Sequence, residues 1–278
     1  MGALLAAAPP KNGSKDLDHA LVQERLPLRI YGGFLVVAEG QFGAGLQHQN
    51  FILDTGTSPS ILNLRVAQQL SLKLSPGKVA AIGQDSQIAA AIVPELQLGP
   101  LQVKSAPVLV ADLTGVERNW NVPIAGILGL DILGQASFRL DYEHRVLEFG
   151  VVTGEGIRIG LSTGLNLPIA EVKVNGRTVH LLVDTGSDRL VFFGKQNGGE
   201  VPFPVAGESL PGTSVAGRVP VRAVPSLELE WNGERFQQRA VIVSDREEPL
   251  FDGLLSVRSM GFRSVAMDAA NHVVYLQK

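Results

Sequence analysis

Hydrophobic and polar residues alternate with a period of two along much of the chain, the pattern of strands with one buried face. Ala170-Glu171-Val172-Lys173-Val174 alternates in this way, and Asn175-Gly176 is a strong signal for a two-residue hairpin turn. Residues 178–183 read as the returning strand, which delivers Asp184 at its end. In the first half, residues 34–37 and 51–53 play the same parts around a longer, glycine-rich connection, and the second of these strands ends on Asp54. Further strands are predicted over 95–98, 101–103 and 108–110. Short helices are predicted over 64–70, capped by Asn63, and directly after Gly129.

The chain is written twice. Phe51-Ile52-Leu53-Asp54-Thr55-Gly56-Thr57 matches Leu181-Leu182-Val183-Asp184-Thr185-Gly186-Ser187 position by position. Ala125-Gly126-Ile127-Leu128-Gly129 matches Asp252-Gly253-Leu254-Leu255-Ser256. Residues 136–149 (ASFRLDYEHRVLEF) then align without gaps on 263–276 (RSVAMDAANHVVYL). Three blocks in one order at similar separations define a unit of about 130 residues. Solenoid repeats run only to about 50 residues, so the unit is a duplicated lobe. The expected organisation is a tail or signal remnant over 1–24, one lobe over 25–152 and a second over 153–278. The link between the lobes is expected in the glycine-rich stretch 151–165.

Both Asp-Thr-Gly turns follow apolar strands, where a carboxylate is costly to bury unless it is hydrogen-bonded. The glycine lets the backbone fold tightly and aim its N–H groups at that carboxylate. The threonine hydroxyls can tie one turn to the other. If the halves meet about a twofold axis, the carboxylates face each other. Close like charges cannot both ionise at ordinary cost, so the pair holds one proton. One member then acts as general base on water and the other as general acid.

The motif resembles that of the pepsin and retropepsin superfamily of aspartic peptidases: apolar-apolar-Asp-Thr-Gly-Thr/Ser, then an apolar-apolar-Gly element about 70 residues later. The resemblance covers nearly the whole chain beyond the tail, and lobes this small look like fused retropepsin-type units. It implies an all-β fold of two similar small β-barrel lobes, related by a pseudo-twofold axis with the active-site cleft between them. It implies catalytic roles for Asp54 and Asp184 and interlocking hydroxyls on Thr55 and Thr185. It also implies that Thr57 and Ser187 hydrogen-bond the carboxylates beside Gly56 and Gly186, and that Ile127-Leu128-Gly129 crosses behind the first turn. Hydroxyls donating to ionised carboxylates would place activity in the acid range.

Three features depart from the family pattern. Ser256 stands where the first lobe has Gly129. The flap candidates, 80–87 around Ile82, Gly83 and Gln84 and 211–217 around Gly212, Thr213 and Ser214, lack the flap tyrosine of pepsins. The only tyrosines are Tyr31, Tyr142 and Tyr275. The helix after the first turn has no evident equivalent in the second lobe.

Composition narrows the chemistry further. The 278 residues are 45% hydrophobic and 18% charged, against about 25% charged in ordinary globular chains, which describes a well-packed protein. The net charge is −3 and there is no run of Lys or Arg, so neither nucleic acid nor an anionic membrane is an expected partner. With no cysteine, disulfides, thiolate catalysis and cysteine-held zinc are excluded. The five histidines lack metal-ligand spacing, and neither a metal nor a cofactor is expected. No apolar run approaches the ~20 residues of a membrane span. Residues 1–10 resemble the end of a signal peptide, favouring a secreted or periplasmic place over a cytoplasmic one. Asp141 and Asp268 read as turn formers, Trp120 and Trp231 as packing residues, and Asp85 as solvent-exposed.

The expected function is therefore an aspartic endopeptidase acting on a polypeptide substrate. No oligomer is required, because one chain supplies both aspartates. The alternative is a catalytically inactive peptide- or protein-binding module on the same fold. A two-carboxylate glycosidase explains neither the repeat nor the turns.

Overall fold

The computed structural model describes residues 24–43, 45–81, 84–150, 152, 154–196, 199–200, 209–214, 217–247 and 250–278. The expected tail or signal remnant lies outside them, apart from Glu24. Strands β1 (Glu24–Pro27), β2 (Arg29–Tyr31), β3 (Leu35–Phe42), β4 (Leu46–Leu53) and β5 (Ile61–Asn63) lead into helix α1 (Leu64–Gln69). Next come β6 (Ser75–Ala81), β7 (Gln84–Leu98), β8 (Leu101–Ala111) and helix α2 (Thr114–Trp120). The half closes with β9 (Gly126–Leu128), helix α3 (Leu130–Leu133), β10 (Phe138–Asp141) and β11 (Val146–Phe149). The second half runs through β12 (Ile157–Gly160), β13 (Ile169–Val174), β14 (Arg177–Asp184), β15 (Leu190–Gln196) and β16 (Gly199–Glu200). It ends with β17 (Ser209–Ser214), β18 (Gly217–Trp231), β19 (Glu234–Glu247), β20 (Gly253–Ser256), β21 (Ser264–Asp268) and β22 (Val273–Gln277).

Each half closes a six-strand barrel with the same connectivity. In the first, the order β3-β4-β9-β5-β8-β7 returns on itself through β3–β7 pairing. In the second, β13-β14-β20-β15-β19-β18 closes through β13–β18. The duplication read from the sequence is thus a duplication of topology. In both barrels the strand carrying the aspartate runs parallel to the crossing strand, β4 with β9 and β14 with β20.

Local chemistry explains these elements. Asn175 and Gly176 take positive φ values of 48° and 81°, the backbone of a type I′ turn whose twist matches β13 and β14. The Asn63 side chain accepts the Arg65 amide at 3.2 Å and caps α1, as expected. Along β4 the alternation splits two apolar faces: Phe51 and Leu53 enter the main core, whereas Ile52 joins a second cluster with Val37 and Ile127.

A six-stranded sheet, β1-β11-β10-β21-β22-β12, joins the two halves. At its centre Phe138 pairs with Met267 and Leu140 with Val265. The repeat aligns Phe138 with Val265 and Leu140 with Met267, so this register is the one a twofold axis through the β10–β21 pair produces. The stretch expected to be a plain link contains β12, which pairs with β22, so the connection is itself part of the inter-lobe sheet. Asp141 and Asp268 are turn formers as expected: Asp141 accepts the Glu143 and His144 amides, and Asp268 the Asn271 amide. Trp231 packs in the core edge-on to Phe262, and Trp120 is edge-on to Phe34. Of Asp85 only its place in β7 is described.

Candidate active site

The two Asp-Thr-Gly turns lie against each other where the barrels meet. The Thr55 amide donates to the Thr185 hydroxyl at 3.0 Å, and the Thr185 amide to the Thr55 hydroxyl at 3.2 Å. Each hydroxyl then donates onward, Thr55 to the Val183 carbonyl (2.8 Å) and Thr185 to the Leu53 carbonyl (3.0 Å). Both threonines are buried, so these four bonds use polar groups that would otherwise be unpaired away from water.

This interlock brings each glycine against the carboxylate of the other lobe. A Cβ on Gly56 would fall 2.8 Å from Asp184 Cγ, and one on Gly186 would fall 2.6 Å from Asp54 Oδ2. Any side chain at either position would displace a carboxylate, so the glycines are required by close approach. Within each turn the glycine amide donates to its own aspartate, Gly56 to Asp54 Oδ1 at 2.8 Å and Gly186 to Asp184 Oδ1 at 2.6 Å. Burial pushes the Asp184 carboxyl well above the usual carboxylate range. The charge of Asp54 and a hydrogen bond shared with it add to the rise, against the Gly186 and Ser187 amides.

The resemblance predicts a hydroxyl on each carboxylate, and here the two lobes differ. Thr57 donates to Asp54 Oδ2 at 2.7 Å. The Ser187 hydroxyl does not bond Asp184: it donates to the Arg189 carbonyl at 2.8 Å. The difference traces to the crossing strands. A Cβ at Gly129 would lie 1.9 Å from the Thr57 carbonyl oxygen, so only glycine permits the first-lobe arrangement. Ser256 carries a Cβ, and its hydroxyl donates to the corresponding carbonyl, that of Ser187, at 2.7 Å.

Sequence reasoning missed a second polar group behind the first turn. Asp131 receives the Ser60 amide (2.9 Å) and the Ser60 hydroxyl (2.6 Å), while Ser60 Oγ accepts the Gly129 amide (2.9 Å). Burial pushes the Asp131 carboxyl up and the Ser60 donors oppose the rise. The network staples the crossing strand to the segment that follows the first Asp-Thr-Gly turn. An aspartate inside the apolar run Ile127-Leu128-Gly129-Leu130-Asp131-Ile132 was the available signal. The second lobe has Leu190 and Arg258 at these places. Arg258 instead donates to the Gly33 carbonyl (3.1 Å) and the Phe262 carbonyl (2.7 Å), with its guanidinium 4.9 Å from the Tyr142 ring centroid.

Each flap candidate falls at the tip of a hairpin flanking its barrel. Ala81 pairs with Gln84 in the first, and Ile82 and Gly83 lie outside the described residues. In the second, Gly212 pairs with Val219, Thr213 with Arg218 and Ser214 with Gly217. The two hairpins are topological equivalents, β6–β7 and β17–β18. Among the described residues no group of three or more His, Asp or Glu side chains converges as a metal site requires, and no helix is long and apolar enough to cross a membrane.

No curated protein sequence is similar enough to the chain to count as a relative. The family model described as aspartyl protease matches the chain twice, over residues 38–132 and over residues 170–258. Each match contains one Asp-Thr-Gly turn and the strand that crosses behind it, and together they span more than half of the sequence. The chain belongs to the aspartyl protease family, with two lobes of that family fused in tandem.

Proposed function

We propose that the protein is an aspartic endopeptidase whose dyad is Asp54 and Asp184, one from each of the lobes 25–152 and 153–278. The observation that carries this reading is the mutual approach of the turns, with Gly56 against Asp184 and Gly186 against Asp54. Two carboxylates at that range share one proton. Asp54, with donors on both oxygens, carries the charge, and buried Asp184 holds the proton.

A water between the carboxylates gives a proton to Asp54 as its oxygen bonds to the peptide carbonyl carbon. Asp184 at the same time protonates the carbonyl oxygen, giving a neutral tetrahedral diol. In the second step Asp54 passes its proton to the amide nitrogen and the C–N bond breaks. Asp184 recovers a proton from one hydroxyl, leaving a carboxylic acid and an amine with the dyad restored. The interlocked threonines hold both acids in place, so orientation is prepared before substrate arrives. Both turns come from one chain, so no second copy is needed.

A peptide with a tetrahedral hydroxyl-bearing carbon in place of the scissile carbonyl separates an enzyme from a binding module. Binding at least 100-fold tighter than the parent peptide, and lost in Asp54→Asn, supports the peptidase. Equal binding of both peptides by wild type and variant contradicts it and identifies a binder.

A further inference from the structure

Ser256 has no counterpart in the first lobe, and its surroundings say what it does. It sits in register beside Asp184 on the parallel pair β14–β20, fully buried. Its hydroxyl donates to the Ser187 carbonyl at 2.7 Å and accepts the Ser259 amide at 3.2 Å, so it is fixed from both sides. In the first lobe the equivalent carbonyl, that of Thr57, occupies the space where a Cβ at position 129 would stand. The second turn therefore cannot adopt the first turn's arrangement while residue 256 carries a side chain. In the arrangement it does adopt, the Ser187 hydroxyl bonds the Arg189 carbonyl of its own turn.

We infer that Ser256 is a positioning residue that makes the dyad one-sided: by holding the Ser187 carbonyl, it keeps the Ser187 hydroxyl off Asp184 and so keeps the shared proton on Asp184. The inference rests on the proposed dyad and adds a role for a residue outside both active turns. A hydroxyl donating to a carboxylate stabilises the ionised form. Asp54 has that donor in Thr57, and Asp184 lacks it. The form with one proton, the working form of the pair, then persists to higher pH than with symmetric turns.

Few other charges face Asp184. Asp54 opposes it from the first turn, and burial with that repulsion already holds its carboxyl high. On its own turn Asp188 and Arg189 form an ion pair with each other. The buried phenol of Tyr142 feels both aspartates, and Arg258 lies over the Tyr142 ring. Neither Ser256→Gly nor Ser187→Ala removes a charged or titratable side chain.

The test is a carboxyl-carbon NMR titration of the whole protein labelled at aspartate, with the Asp184 signal identified by its loss in Asp184→Asn. In Ser256→Gly the turn is free to adopt the first-lobe arrangement. The Asp184 proton is then lost about one pH unit lower than in wild type, the shift expected for one added hydroxyl donor. Ser187→Ala alone leaves the Asp184 titration in place, and adding it to Ser256→Gly restores the wild-type value. An unshifted titration in folded Ser256→Gly, or an upward shift in Ser187→Ala alone, overturns the inference. Should Ser256→Gly fail to fold, the Ser187→Ala result decides by itself. The titration needs no turnover, so failure of the peptidase reading and failure of this inference are seen separately. If the protein cleaves peptides, the alkaline limb of its kcat/KM profile moves with the titration.

Discussion

Thr55 and Thr185 each present a hydroxyl that accepts the other's amide N–H across the lobe interface, at 3.0 and 3.2 Å. This reciprocal pair joins the two halves alongside the inter-lobe sheet and the Arg258–Gly33 hydrogen bond. Thr55→Val keeps the shape and removes the hydroxyl, leaving the Thr185 amide and the Val183 carbonyl without these buried partners. A loss of about 2–4 kcal/mol in urea unfolding is expected. Adding Thr185→Val costs less than it does alone, because the two act as one unit. Additive losses would show that the bonds are independent.

The glycines of the two turns are steric partners of the opposite carboxylates. Gly56→Ala drives a methyl group toward Asp184 Cγ, and Gly186→Ala toward Asp54 Oδ2. Displacing a catalytic group by about 1 Å costs on the order of 100-fold in rate. Each variant is expected to lose at least that much kcat while its circular dichroism stays that of a β-rich fold. Retained kcat in either would show that the carboxylates do not need this mutual placement.

For the proposed peptidase, the effect of Thr57 is expected on the acid side of the pH profile. Its hydroxyl donates to Asp54 Oδ2 and favours the charged form of the dyad, so Thr57→Ala removes that support. Thr57→Ala is expected to move the acid limb of kcat/KM upward by about one pH unit. Ser187→Ala should leave that limb in place, since Ser187 bonds Arg189 instead. Equal shifts in both variants would contradict the asymmetry of the turns.

Asp141 links acid stability to the inter-lobe sheet. Burial opposes its ionisation, but the His144 amide, the His144 ring and Arg139 outweigh it and hold its carboxyl below the usual range. A carboxyl with a depressed folded value stabilises the fold above its unfolded value, about 3.9, and loses that contribution as pH falls through the folded value. His144 is raised by its bond to Asp141, so its contribution is present below about 6.5 and fades as pH rises through the folded value. In Asp141→Asn, urea unfolding should show lower stability at pH 6 and a flatter decline below pH 4, both relative to wild type. An unchanged slope in the acid range would remove Asp141 from the acid transition.

Much of this molecule was legible because it was written twice. The repeated apolar strand before Asp54 and Asp184 fixed which residues end β4 and β14, and Asn175-Gly176 fixed a hairpin through its φ requirements alone. The closed barrels follow from pairings such as Gln41 with Gln97, which no local pattern announces. The polar staple of Ser60 and Asp131 joins residues far apart in the chain, and position alone gave no reason to pair them. The error over Ser187 has the same origin. Its residue type matches the motif, but its hydroxyl is directed by Ser256 on another strand, and the Gly129-to-Ser256 change was visible without its consequence.

The most direct test is cleavage of an unfolded protein between pH 2 and pH 8 by wild type, Asp54→Asn and Asp184→Asn. Cleavage by wild type, with both variants reduced by at least 1,000-fold and still folded, is the expected result. Equal cleavage by all three, or by either variant alongside wild type, would contradict a dyad built from Asp54 and Asp184.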